Sequence, residues 1–253
     1  MKIRLSICLI TITAVILALS SCGTGENTPS LVVDEMSESD VILGECDDRG
    51  QEYIDSLIFI GESTTYHLKS RGVLSGGTQT KQIWSPENGT LNLDMTTKNV
   101  KIVYPETSEL ITIADAAARA KPKYIIFTFG LNGAVGNIKR GEAYYKSCYR
   151  ALIDSVRAAS PKTDIILQSA FPVAKNMDMS NYSIDVKTLN EYISTINRWT
   201  LSPAREEALS YLDTAEILTD GEGYLREELQ VGDGHHLTTE AYKEILAYIR
   251  THG

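Results

Sequence analysis

Short apolar runs alternate with helix-like segments along most of this chain. Residues 56–60, 124–129 and 164–168 are β-prone runs, and residues 57–60 and 124–129 lack the polar alternation of a half-exposed strand. Segments with helical spacing lie between them, among them 108–120, and a closing helix is predicted over 238–251. Strands without a polar face must be covered on both sides, and alternating strands and helices favour parallel pairing. The sequence therefore predicts a three-layer α/β/α sandwich with a mainly parallel, doubly wound sheet.

The N-terminal segment does not follow that pattern. Residues 5–19 carry no charge and come after Lys2 and Arg4, which is typical of a secretory signal and too short for a membrane span. Residues 19–22 (LSSC) resemble the lipobox of bacterial lipoproteins, in which the cysteine is lipidated. The resemblance implies a signal peptide over 1–21, a lipid anchor on Cys22, and a location at the bacterial cell surface or another extracytoplasmic membrane face. A plain cleaved signal or a short anchor is the alternative.

Small polar and acidic residues dominate residues 22–52, which predicts a flexible, acidic tether. Residues 53–253 are then expected to form one folded domain, because no second linker or internal repeat follows. Cys46 and Cys148 would remain as unmodified cysteines of the mature chain. They can form one disulfide or stay as two free thiols.

Acidic residues outnumber basic ones by 33 to 24, and the formal net charge is −9. Phosphate binding needs basic patches, and the sequence contains no run of four lysines or arginines. A nucleic-acid partner is therefore not expected. The same acidic balance favours neutral substrates over polyanionic ones.

Three loops are expected at the carboxyl ends of the strands, where open α/β sheets bind ligands. Ser63 follows the first strand and opens a helix, and Asn132 follows the second strand. Asp233 and His236 lie three residues apart, just before the last helix. Taken one at a time, each also has a purely structural interpretation: Ser63 as a helix N-cap, Asn132 as part of an Asn-Gly turn, and Asp233 as part of an Asx turn. Together they supply a nucleophile, an oxyanion donor, an orienting carboxylate and a general base.

Two other readings of these residues fit less well. A metal centre is not expected, because no further set of His, Cys, Asp or Glu at ligand spacing accompanies the histidines. The α/β-hydrolase elbow, Gly-x-Ser-x-Gly, is not matched, because position 65 is threonine.

The chain resembles the SGNH (GDSL-type) hydrolase family over most of residues 56–250. The matching segments are 59–63 (FIGES), 130–132 (GLN) and 233–238 (DGHHLT). The resemblance implies that Ser63 is the nucleophile, that His236 is the base and that Asp233 is its partner. It also implies that Asn132 and the N–H of a glycine join the serine N–H in an oxyanion hole.

Some positions carry over from the family less directly. Gly76, Gly77 and Gly89 are candidates for the oxyanion-hole glycine, and Gly89 is favoured by its place in a loop. Glu62 replaces the usual aspartate before the serine, and Gly133 stands where an aspartate often follows the asparagine.

The resemblance implies a serine-dependent carboxylic ester hydrolase that needs no metal or organic cofactor. We expect small acyl esters as substrates, with acetyl groups on a carbohydrate as one candidate. Two alternatives stay open. One is a non-catalytic, ligand-binding surface lipoprotein on the same fold, which Glu62 and Gly133 permit. The other is an O-acyltransferase that passes the acyl group to a sugar.

Overall fold

A computed structural model describes residues 37–253. The predicted signal peptide, Cys22 and the first part of the predicted tether therefore lie outside the described residues. Within residues 37–253, no helix is both long enough and apolar enough to cross a membrane.

Four parallel strands form the central sheet in the spatial order β1 (Leu57–Gly61), β4 (Tyr124–Thr128), β5 (Asp164–Gln168) and β6 (Ser210–Leu212). Two short strands, β2 (Lys101–Val103) and β3 (Leu110–Thr112), pair separately as an antiparallel hairpin. Nearly every residue of β1, β4 and β5 is buried, as the absence of polar alternation predicted.

A parallel bridge between Phe59 and Ile83 extends the sheet beyond β1. Phe59 donates its N–H to the carbonyl of Gln82 (2.8 Å) and accepts the N–H of Trp84 (3.1 Å). On its other side, Phe59 pairs with Ile126 of β4. The chain that follows β1 therefore first lies on one side of it, at Ile83, and later on the opposite side, at β4. This reversal is the switch point of a doubly wound sheet, where ligand sites form. The predicted fold class is confirmed.

Helices cover both faces of this sheet. One face carries α4 (Ile113–Ala120), α5 (Ala134–Arg140), α6 (Glu142–Ala159) and α7 (Val186–Glu206). The other carries α3 (Ser63–Ser70) and α9 (Thr239–Thr251), and three shorter helices are α1 (Glu38–Val41), α2 (Gly50–Asp55) and α8 (Ala215–Leu218). Ile125 and Phe127 of β4 pack into the first layer, and Ile126 between them packs into the second. This alternation is what a strand with two buried faces requires.

The helix expected over 108–120 begins later than predicted. Residues 110–112 pair with β2, and the side chain of Thr112 then accepts the N–H of Asp115. Threonine is a common N-cap residue, so the helix starts at Ile113.

The tether predicted over residues 22–52 ends earlier than expected. Val41 is buried, and Ile42 forms a parallel bridge with Tyr211 at the edge of the sheet. The apolar residues 41–43, whose character already suggested packing on the domain, cover an otherwise open strand edge. Further backbone contacts are N–H donations from Leu43 to Tyr211 (2.8 Å), from Cys46 to Thr251 (2.6 Å) and from Arg49 to Arg250 (3.0 Å). Residues 41–52 therefore belong to the folded unit.

Both described cysteines are free thiols. Cys46 lies at the surface, whereas Cys148 on α6 is buried in the core.

Gly61 ends β1 at a point where no larger side chain fits. A Cβ atom there would collide with the carbonyl oxygen of Thr128 and with the hydroxyl of Thr65. We expect Gly61→Ala to lower the free energy of unfolding, measured in urea, by about 1–3 kcal/mol, the usual cost of overpacking.

Gly136→Ala in α5 is the matched control for Gly61→Ala. Nothing lies within 4 Å of a Cβ at Gly136, so alanine there should be neutral or stabilising. Equal stability of the two variants would contradict the steric argument.

Candidate active site

Three side chains from distant parts of the chain form a hydrogen-bonded relay. Ser63 opens α3 just beyond β1, and Asp233 and His236 lie in the loop before α9. The Oγ of Ser63 is 3.1 Å from Nε2 of His236, and Nδ1 of that ring is 2.7 Å from Oδ2 of Asp233. A hydroxyl, an imidazole and a carboxylate in this order can activate a serine for nucleophilic attack. The structure thus brings together the three residues that the sequence selected.

Asp233 organises the loop that carries the imidazole. Its Oδ1 accepts the N–H groups of His235 (3.0 Å) and His236 (2.9 Å). Burial by itself raises the pKa of Asp233, but these two N–H groups and the His236 side chain outweigh it and hold the pKa well below its usual value. The carboxylate therefore stays ionised at neutral pH and can stabilise positive charge on His236.

Gly234 fixes this loop against the preceding segment. Its φ is +85°, and a Cβ atom would lie 2.5 Å from Cα of Met177. The Gly234 carbonyl accepts the N–H of Ala174 at 2.7 Å. Only glycine combines this conformation with so close an approach, so the loop is docked firmly on residues 174–177.

Asn132 reaches the site from the end of β4. One N–H of its side-chain amide is donated to the Oγ1 of Thr90, over 2.9 Å. The amide carries a second N–H, which can be donated to an oxyanion. Ser63, the first residue of α3, has a backbone N–H with no acceptor inside the helix and can be a second donor.

The carboxylate of Glu62 holds the loop that carries Asn132. It accepts the backbone N–H groups of Gly130 (2.8 Å), Leu131 (3.2 Å) and Asn132 (3.0 Å), and the residue is only 3% exposed. Burial raises the pKa of Glu62 and the three N–H groups lower it; burial is the larger effect, and the pKa is raised to about 7. The ionised form, which accepts most strongly, therefore gains population as the pH rises through neutrality. Glutamate, at the position where the resembling family usually has aspartate, thus has a positioning role.

The N–H of Gly89, the glycine favoured for the oxyanion hole, already has an acceptor in this structure. It is donated to the carbonyl of Pro86 at 2.9 Å, because residues 86–89 form a tight turn. That N–H is not available to an oxyanion in this conformation. Glycine is needed here for another reason: φ is +73°, and a Cβ would lie 2.9 Å from the ring of Tyr66.

His67 lies in the site and was not selected from the sequence. It follows Ser63 by one helical turn, and its ring centroid is 4.4 Å from that of His236. The ring of His235 also contacts His236, at 4.0 Å. The spacing of four residues on one helix was the signal that could have placed His67 beside Ser63.

A cleft of about 570 Å³ adjoins the relay on the side of Asp233 and His235. Its other lining residues include Asn176, Asp178 and Tyr182. A larger cleft, of about 810 Å³, runs along α7 and is lined by none of the relay residues. The smaller cleft borders the relay at Asp233 and His235, and its lining does not include Ser63 or His236.

Potential metal ligands within residues 37–253 cluster at the relay itself. Asp233, His235 and His236 each place one potential ligand atom within 4.8 Å of the others. Both ring nitrogens of His236 already face Asp233 and Ser63, so a metal held by these three residues would displace hydrogen bonds of the relay.

Glu62→Gln tests the positioning role of the buried carboxylate. A glutamine places an NH2 group where an oxygen now accepts N–H groups, so at least one backbone donor loses its partner. We expect faster hydrogen exchange at the amides of residues 130–132 and a loss of about 1–3 kcal/mol in the free energy of unfolding. Glu87→Gln, at an exposed glutamate, is the control and should change neither quantity. Unchanged exchange in Glu62→Gln would contradict the assigned role.

Solved structures of other proteins share this fold. A Streptococcus pneumoniae protein described as a platelet activating factor is 20% identical, with a TM-score of 0.54 over 79% of this chain and 87% of its own. A G-D-S-L family lipolytic protein from Desulfitobacterium hafniense is 20% identical, with a TM-score of 0.50 over 77% and 97%. A GDSL-like lipase from Bacteroides thetaiotaomicron is 14% identical, with a TM-score of 0.53 over 85% and 89%. At these identities the likeness establishes the fold.

Comparison of the sequence with individual curated proteins gives no match. Comparison with models of protein families does give one. The model of the GDSL-like lipase/acylhydrolase family matches residues 59–244. That range covers most of the chain and contains Ser63, Asn132, Asp233 and His236. The chain therefore belongs to the GDSL-like lipase/acylhydrolase family.

Proposed function

We propose that this protein is a serine-dependent carboxylic ester hydrolase. The observation that carries the proposal is the relay of Ser63, His236 and Asp233, with separations of 3.1 Å and 2.7 Å. It lies at the switch point of the sheet, beside a loop that can supply an oxyanion donor. This set of groups supplies the chemistry of ester hydrolysis without a metal or organic cofactor.

In the first half of the reaction, the Oγ of Ser63 attacks the carbonyl carbon of the ester while Nε2 of His236 takes the hydroxyl proton. The negative charge moves to the carbonyl oxygen, where the second amide N–H of Asn132 and the N–H of Ser63 can receive it. The ester C–O bond then breaks, and His236 gives its proton to the departing alcohol. The acyl group is left on Ser63.

In the second half, water takes the place of the alcohol. His236 removes a proton from the water as it attacks the acyl carbon, and the oxyanion forms in the same position. When the bond to Ser63 breaks, His236 returns a proton to Oγ and the carboxylic acid is released. The ionised Asp233 balances the charge of the imidazolium in both halves.

We propose small acyl groups, acetyl in particular, as the acids released, and a carbohydrate as one candidate alcohol. The cleft beside the relay supports a hydroxyl-rich alcohol, since its lining includes the side chains of Asn176, Asp178 and Asn181. A side-chain amide can donate to a hydroxyl group or accept from one, and a carboxylate can accept from one. An exposed aromatic ring, that of Tyr182, completes one wall.

We also propose that the mature protein is anchored by lipid on Cys22 at the outer face of a bacterial membrane. The support is the sequence pattern of residues 1–22, which lie outside the described residues. An anchored enzyme would act on acylated glycans or other esters near that surface.

The alternative of a non-catalytic binding protein depends on the departures from the family pattern at Glu62 and Gly133. The geometry of both residues argues against that alternative. Glu62 holds the backbone of the loop that carries Asn132. Gly133 precedes α5 with φ +75°, a conformation that glycine adopts without strain. Both residues therefore suit a working oxyanion site, which favours the esterase.

Ser63→Ala tests the proposal directly. Without the nucleophile, kcat/KM of the full-length protein for p-nitrophenyl acetate should fall by about a thousandfold or more. Ser70→Ala, at the exposed end of the same helix, is the matched control and should keep the wild-type rate. Equal hydrolysis by the wild type and Ser63→Ala would show that the proposal is wrong.

A further inference from the structure

His67 is a titratable side chain in the site that the proposed reaction does not use. It lies on α3, one turn after Ser63, and is partly buried. Its ring meets that of His236 at 4.4 Å between centroids, with 39° between the planes. No step of the ester hydrolysis requires a second imidazole at this place, so the contact calls for another explanation.

The two hydrogen bonds of His236 leave its ring free to rotate about one axis. Ser63 and Asp233 contact opposite nitrogens of the imidazole. Rotation of the plane about the line joining those nitrogens changes the two distances little. A neighbouring ring in contact with the imidazole restricts that rotation, because the turning imidazole would collide with the neighbouring ring.

The surroundings of His67 disfavour its charged form. Its Nδ1 is buried and has no hydrogen-bond partner within the described residues. Protonation would put an N–H there without an acceptor, which is costly for a buried donor. Burial, followed by the charges of His236 and Arg71, lowers the pKa of His67 to about 4, and only Asp233 among the facing groups acts in the opposite direction. His235 adds to the lowering.

An uncharged ring at this place has a consequence for the base. When His236 takes the proton of Ser63 it becomes a cation, and a second cation in ring contact would oppose that step. A neutral aromatic face attracts a cation instead. The neighbour of His236 therefore assists the proton transfer only if it stays neutral.

We propose that His67 is a positioning residue for the base: its uncharged ring packs on the imidazole of His236, sets the tilt of that ring toward Ser63, and stays neutral while His236 carries the proton. This inference rests on the esterase proposed above. It assigns no direct contact between His67 and the substrate.

Two substitutions separate ring packing from other roles of His67. His67→Ala removes the ring and should lower kcat by about tenfold with little change in KM, because a misaligned base slows proton transfer and leaves binding intact. His67→Phe restores a flat, uncharged ring and should return kcat to within about threefold of the wild type. Lys69→Ala, on the same helix, is the control and should behave as the wild type.

Two outcomes of the kinetic experiment would overturn the proposal. One is a wild-type kcat for His67→Ala. The other is an equal loss in His67→Ala and His67→Phe, which would assign the effect to the ring nitrogens. Thermal unfolding of each variant establishes that the protein is folded before its rate is compared.

A 15N NMR titration of the wild-type imidazole rings tests the charge state without turnover. We expect His67 to remain unprotonated from about pH 8 down to about pH 5, whereas an exposed imidazole, with a pKa near 6.5, would become charged within that range. Protonation of His67 within that range would overturn the proposal. Because this measurement needs no substrate, it still reports on His67 if Ser63→Ala shows that the esterase assignment is wrong.

Discussion

The buried carboxylate of Glu62 joins the ends of two neighbouring strands, and the geometry of the site depends on it. Glu62 leaves β1 directly before Ser63, and its oxygens accept three successive backbone N–H groups beyond β4. The nucleophile and the loop of Asn132 are thereby tied to one another at the switch point of the sheet. A glycine at position 61 makes this possible, because the chain passes too close to Thr128 for a side chain.

The second half of the site is held by a different device. Gly234 lets the loop of Asp233 and His236 pack on the backbone of Met177. The carboxylate of Asp233 then holds His236 by two hydrogen bonds, one to its backbone N–H and one to its ring. A 3.1 Å hydrogen bond between Ser63 and His236 joins the two halves. A contact of that kind is sensitive to the tilt of the imidazole, which is why a neutral neighbour at position 67 matters.

Much of this arrangement follows from the sequence, because two runs without polar alternation mark buried strands and a general rule places the loops after them together. Ser63, Asn132, Asp233 and His236 were found in that way. Contacts across the chain were not: nothing in the local sequence pairs Glu62 with residues 130–132, or commits the N–H of Gly89 to Pro86. The apolar residues 41–43 indicated a contact with the domain, but the sequence did not show that Ile42 would pair with Tyr211 at the sheet edge. His67 was within reach, since helical spacing from Ser63 predicts its face.

If Ser63 is a nucleophile activated by His236, a covalent probe of reactive serines will label it. The full-length protein is treated with a fluorophosphonate ester, digested and examined by mass spectrometry, with His236→Asn treated in parallel. We expect one phosphonylated peptide, modified at Ser63, and much slower labelling of the variant. No adduct, an adduct on another serine, or equal labelling of the variant would contradict it.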